Sequence, residues 1–144
     1  MPIVKQVKGN LAEILQGGQM VLAVTLMNCK KTIESGVVEE IAEVYPQIIE
    51  VDNQFPLPAL YRLGDYAVCE NILLFYTHLE PGGTPELSAL KSCLKKLSNE
   101  AIRSNSYIEL MFPMPTENWE IVKRILNFQE HLLITVIEHD KGEI

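Results

Sequence analysis

Apolar and polar residues alternate over residues 3–7, as in a strand with one buried face, and Gly9-Asn10 closes the run. Residues 20–27, MVLAVTLM, are almost continuously apolar, which predicts a strand covered on both faces. After a polar stretch, Val37, Val38, Ile41, Ala42 and Tyr45 recur at helical spacing with Pro46 just beyond, so a helix is expected over 37–45. Segment 54–60 carries Pro56 and Pro58 and reads as irregular, whereas 66–70 and 72–77 read as two strands around a tight turn at Glu70-Asn71. A loop over 79–85 contains Gly82-Gly83. Leu87, Leu90, Leu94, Leu97 and Ala101 then form a helical stripe with Lys91, Lys95 and Lys96 off it. A strand over 107–112, a helix over 119–128 and a strand over 132–138 complete the pattern.

Strands that alternate with helices predict an α/β fold of three layers, a mixed sheet of about six strands between helices. The 144 residues suit one domain, 1–144, with its core within about 3–139. Composition adds exclusions. An apolar share of 47% with 22% charged residues sets the chain apart from disordered sequences. A formal charge of −7 opposes attraction to a phosphate backbone, so no nucleic-acid partner is expected. No stretch approaches the roughly 18 apolar residues of a membrane span, and no apolar leader opens the chain; a cytoplasmic protein with no membrane partner is expected. Cys29, Cys69 and Cys93 lie far apart, outside any metal-ligand spacing, and read as reduced thiols; no metal and no cofactor is expected.

The candidate chemistry sits at the ends of predicted strands. A glycine-bearing loop entering a helix aims unpaired N–H groups and the positive dipole end at one point, which favours a diphosphate; Gly36 is placed for this. The same Ser35-Gly36 pair also reads as a plain helix start with Ser35 as N-cap. Asn10 reads either as a ligand contact or as a turn residue after a strand. His78 ends a strand beside Pro81-Gly82-Gly83, where α/β sheets bind ligands, whereas His131 reads as a helix-to-strand turn and His139 as an exposed end. Cys29 is either a small core residue or a reactive thiol. Trp119 either stacks on a ligand or anchors the last helix, and Glu39, Glu40 and Glu43 read as a solvated helix face.

Three motifs in order carry a resemblance: Val7-Lys8-Gly9-Asn10-Leu11 after the first strand; Asn28-Cys29 followed by Ser35-Gly36-Val37-Val38-Glu39-Glu40-Ile41 and Tyr45-Pro46; and Gly64-Asp65, then residues 89–96, ending at Trp119. Together they resemble the macro domain, in particular its small phage and bacterial members and the terminal ADP-ribose glycohydrolase subgroup. The resemblance implies a pocket for ADP-ribose or a related nucleotide bounded by Gly9, Asn10, Leu11, Asn28, Glu34, Ser35, Gly36, Val37 and Trp119. Asn10 stands where the family has an Asp that takes the adenine amino group. Three departures weaken the likeness. Residues 111–119 hold no glycine, and Pro113 and Pro115 cannot build the second phosphate loop, which in the glycohydrolase subgroup also carries an acidic catalytic residue. His78 stands nearest to where that subgroup has a lysine nucleophile, and Glu34 replaces a loop glycine. The resulting expectation is a binding module with degenerate phosphate loops and no hydrolase activity. The alternatives are an active ADP-ribose hydrolase or phosphatase using Asn28 and His78, or a fold kept only as a protein-interaction surface with Phe112 and Met114 filling the pocket.

Overall fold

In strand β4 (Ile72–His78), Ile72, Leu74 and Tyr76 point to one side of the sheet while Leu73 and Phe75 point to the other, and all five are buried. Strand β2 (Ala23–Asn28) does the same, with Ala23 and Met27 on one side and Val24 on the other. The uninterrupted apolar runs of both segments follow, because each alternate set of side chains meets its own layer of helices. The computed structural model describes residues 3–17, 22–30, 33, 36–54, 59–80, 85–115 and 117–139, with 59 and 60 through their backbone only.

The sheet has six strands in the order β1-β6-β5-β2-β4-β3, with β1 at Ile3–Gly9, β3 at Tyr66–Cys69, β5 at Ile108–Pro113 and β6 at Leu132–His139. All neighbours run parallel except β3, which turns back on β4 through Glu70 in a left-handed conformation, φ 54°. This is the expected mixed α/β sheet of about six strands. One face is covered by α1 (Leu11–Gln16), α2 (Val37–Val44) and α3 (Gln47–Gln54), whose Leu11, Leu15, Ile41 and Ile48 pack on Met27, Leu74 and Tyr76. The other is covered by α5 (Leu87–Arg103) and α6 (Trp119–Asn127), where Leu90, Leu94, Leu97, Val122 and Leu126 pack on Phe75, Phe112 and Val136. A one-turn helix, α4 (Ala59–Arg62), precedes β3. Among the described residues no helix is long and apolar enough to cross a membrane.

Three helices depart from the sequence expectation. The pair Gly9-Asn10 is not only a turn: Asn10 is the N-cap of α1, its Oδ1 accepting from the backbone N–H of Glu13 at 3.1 Å. Six residues hold too few turns for a helical period to register, although Asn followed three residues later by Glu was the available signal. Pro46 ends α2 and also opens α3, where its missing N–H costs nothing; Ile49 donates to its carbonyl at 3.0 Å. The helix α3 therefore occupies 47–54, up to the edge of the proline segment, and part of that segment becomes α4.

The five parallel strands end along one edge at Gly9, Asn28, His78, Pro113 and His139. From β5 the chain moves to β6 on one side, while β2 leads to β4 on the other, so the strand order reverses between β2 and β5. That edge is where an open α/β sheet forms its ligand crevice.

Candidate functional site

Asn10 is 6% exposed and both ends of its amide are engaged. With Oδ1 held by the cap, Nδ2 is turned outward and donates to Glu40 Oε2 at 2.9 Å. Glu40 also accepts from His139, whose Nε2 lies 2.8 Å from Oε1. Because a carboxylate only accepts, the ring nitrogen supplies the proton of that bond. The first turn of α2 is thereby fastened to the ends of β1 and β6, where Gly9 and His139 are register partners. Glu40 is thus not part of the solvated face that Glu39 and Glu43 form, and His139 is a largely buried partner rather than an exposed end. Residues 40 and 139 are joined only by the topology, which is why the sequence pattern gave no sign of the pair.

Gly36 is the N-cap of α2, at φ 96° and ψ −137°, and is buried. This is a conformation essentially reserved for glycine. The cap is therefore Gly36 rather than Ser35, and it brings no side-chain acceptor to the helix N-terminus. Val37 follows, packed on the same apolar cluster as Leu11. Since Glu40 donates its N–H to Gly36 O at 3.0 Å and holds Asn10 through its carboxylate, Gly36 and Asn10 lie on the same side of the sheet.

At the end of β2, buried Asn28 accepts from the N–H of Lys30 at 2.9 Å through Oδ1, which turns the chain off the sheet. Its register partner is His78, and the next N–H, of Cys29, donates to His78 O at 2.9 Å. His78 Nδ1 lies 3.0 Å from Thr77 Oγ1. Cys29 is buried, and burial raises its thiol above the ordinary value, with the Arg62 guanidinium pulling down and the Asp52 carboxylate pushing up. A thiol so placed is a core group and a poor nucleophile.

Beneath the edge lies an ionic cluster that the sequence pattern did not signal. Arg62, 1% exposed, pairs with Asp52, 2% exposed, through Nη2 to both Oδ1 and the main-chain carbonyl. Tyr76 donates to the same Oδ1 at 2.7 Å, and the guanidinium stacks 4.2 Å from the centre of its ring. Burial and the neighbouring carboxylate raise the Tyr76 phenol far above its usual range. The cluster ties α3 and α4 to β4, and its two charges act on the Cys29 thiol.

The remaining sequence-derived residues are distributed as follows. Gly9, Asn10, Leu11, Gly36 and Val37 gather on the α1–α2 side, whereas Asn28 ends β2, three strands along the sheet from β1. Trp119 opens α6 and packs on the opposite cluster with Phe112 and Met114. Phe112 is fully buried in that core, so it does not fill a pocket on the α1–α2 side. Glu34 and Ser35 lie outside the described residues, as do Pro81-Gly82-Gly83. His131 has φ 63° ahead of β6, stacks on Tyr107 at 4.7 Å and bonds Ser106 O through Nδ1, the turn role expected of it.

No protein-family model matches the chain. It is 28% identical over 151 aligned positions to an uncharacterized 17.5 kDa protein of Enterobacteria phage T4, covering 94% of this chain and 96% of the relative. Among solved structures it resembles the macrodomain of Thermus aquaticus DarG, with a TM-score of 0.67 at 18% identity over 93% of this chain and 97% of that one. It also resembles Thermosipho africanus DarTG, solved in complex with ADP-ribose, with a TM-score of 0.72 at 11% identity over 100% of this chain and 44% of that one. A macrodomain protein from Streptomyces coelicolor gives 0.66 at 15% identity over 94% and 98%. Strand order, helix layers and these likenesses agree: the chain has the macrodomain fold.

Proposed function

We propose that this chain is a binding module for ADP-ribose or a related nucleotide, acting as one cytosolic domain over residues 1–144 and without hydrolysing its ligand. The observation that carries the reading is the gathering of Asn10, Gly36 and the uncapped start of α2 on one side of the sheet, at the edge where the parallel strands end and where Asn28 ends β2. The first N–H groups of α2, behind a glycine that has no side chain, suit the diphosphate. The Asn10–Glu40 pair suits the base, because Glu40 supplies a carboxylate acceptor for an exocyclic amine where residue 10 itself no longer does. The fold of DarTG, which was solved with ADP-ribose, supports the same ligand class. By its place in the sequence, where the resemblance puts a loop glycine, Glu34 would limit affinity, since a carboxylate beside a diphosphate costs about 1 kcal/mol at partly solvated distances.

Calorimetric titration with ADP-ribose tests the reading. Wild type binds weakly, and Glu34→Gly binds several-fold tighter, an effect of about 1 kcal/mol that grows as salt is lowered. Undetectable binding by both proteins, with the fold intact, would leave the fold serving as an interaction surface instead. One observation favours a hydrolytic second reading: Asn28 and His78 are register partners at the strand ends. Release of ADP-ribose from modified protein that is lost in both Asn28→Ala and His78→Ala would establish it.

A further inference from the structure

On the sheet face opposite α1 and α2, α5 and α6 leave an open groove of about 580 Å³ between them. Lys91, Lys95 and Ile102 line it from α5, and Ile121, Arg124 and Phe128 from the α6 side. The floor is made of Ile125 and of Ser98, whose hydroxyl donates to Glu130 O. Two properties distinguish this surface. Its apolar groups are uncovered, Phe128 being 85% exposed and Ile102 and Ile121 each 43%. Its cations are also uncommitted: Lys96 and Arg103 of the same helix pair with Asp65 and Glu100, but no carboxylate among the described residues pairs with Lys91, Lys95 or Arg124. Three cations against the one carboxylate of Glu130 make a positive groove on a chain of formal charge −7.

We infer that the α5–α6 groove is a docking site for an acidic amphipathic helix of a partner protein, its apolar stripe seated between Ile102, Ile121 and Phe128 and its Asp and Glu residues set against Lys91, Lys95 and Arg124. A helix lying along a groove between two helices presents anchors at i, i+3 or i+4 and i+7, and exposed aromatic and aliphatic residues ringed by cations suit such anchors flanked by carboxylates. The nine residues of α6 extend about 13 Å, enough for two to three turns of a bound helix. A second copy of this chain fits less well, because a two-fold contact sets each groove's cations against themselves. A lipid surface fits less well too, since the groove is concave and an anionic membrane meets the overall negative field.

The experiment is a selection of displayed random peptides of about 16 residues, some four turns of helix, on the immobilised full chain. Enriched sequences are expected to place Leu, Phe or Trp at helical spacing with flanking Asp or Glu. A synthetic peptide of the consensus should lose at least about tenfold in affinity, or 1.4 kcal/mol, both with Phe128→Ala and with the pair Lys91→Glu and Arg124→Glu. It should also weaken several-fold as ionic strength rises toward about 0.3 M. All three positions are exposed, so circular dichroism and the melting temperature should match wild type. Enrichment of no acidic apolar consensus, or of one that binds these variants like wild type, overturns the inference. So does a dimer in sedimentation that Phe128→Ala dissociates, or co-sedimentation of the chain with phosphatidylserine vesicles lost in the same variant.

Discussion

Asn10 and Glu40 are joined by one hydrogen bond, Nδ2 to Oε2 at 2.9 Å, that bridges the start of α1 and the first turn of α2. The relationship gives a physical account of why an amide stands at position 10. An aspartate would keep the cap on α1 but would set two carboxylates at hydrogen-bonding distance, with only His139 to offset them. Asn10→Asp is therefore expected to lower stability by about 1 kcal/mol in urea denaturation, less in high salt because Glu40 is partly exposed. Adding Glu40→Gln should restore it. Asn10→Ala, which removes the cap itself, should cost about 0.5–2 kcal/mol with little dependence on salt. An Asp variant as stable as wild type at low salt would show that the two side chains are not coupled.

Gly36 makes a separate prediction. At φ 96° and ψ −137° a Cβ is strained whatever its surroundings, so Gly36→Ala should destabilise by about 1–3 kcal/mol. Thermal melts would show a fall of several degrees. Ligand affinity should fall with it if α2 holds the diphosphate, and an unchanged melt would mean that α2 begins differently.

The buried pair under the edge should be the most sensitive polar element. Arg62→Met leaves the Asp52 carboxylate in the core without its cation and is expected to cost about 3–5 kcal/mol. Tyr76→Phe removes one hydrogen bond and should cost about 1 kcal/mol. A double-mutant cycle on urea midpoints measures both terms, and near-additive losses would contradict the shared Oδ1 acceptor.

Alkaline stability follows from the thiols. Burial pushes the Cys93 thiol from 9.0 up to about 12 in the folded chain, and Cys29 and Cys69 are raised for the same reason. The unfolded chain therefore releases these protons first as pH rises. The Cys93 contribution is complete below pH 9 and is lost between about 9 and 12, and those of Cys29 and Cys69 are likewise lost as pH rises, so the unfolding free energy should fall with pH in that window. Cys93→Ala should flatten the fall measured from urea midpoints at pH 8, 9 and 10, and an unchanged slope would remove Cys93 as its source.

Much of this architecture was legible because long apolar runs report burial directly. Residues 20–27 could be read as a two-sided strand, 72–77 as a strand after a tight turn, and the Leu87 to Ala101 stripe marked α5 to within a turn. Short elements were not legible, since six residues of α1 cover under two turns and Pro46 carries the same letter whether it stops one helix or starts the next. At the candidate site the sequence marked Gly36 and Asn10, both of which bear on local backbone geometry. It did not mark Glu40 with His139 or Asp52 with Arg62, because those pairs are made by strand order and helix packing rather than by neighbours in the chain.

The pairing of the first strand with the last has a consequence for the order of events during synthesis. Ile3 meets Ile134 and Gly9 meets His139, so β1 stays without its ladder until β6 exists. Loop closure over such a separation is slow compared with the local formation of α5 or of the β3–β4 hairpin. Because chains emerge N-terminus first, β2 and β4 can pair while β1 waits, and the Asn10–Glu40–His139 junction is made at the end. A nascent or truncated chain that ends before residue 132 holds Gly36 and Asn28 but has no β6 to pair with β1 and no His139 to meet Glu40, so the Asn10–Glu40–His139 junction exists only once the last strand is in place.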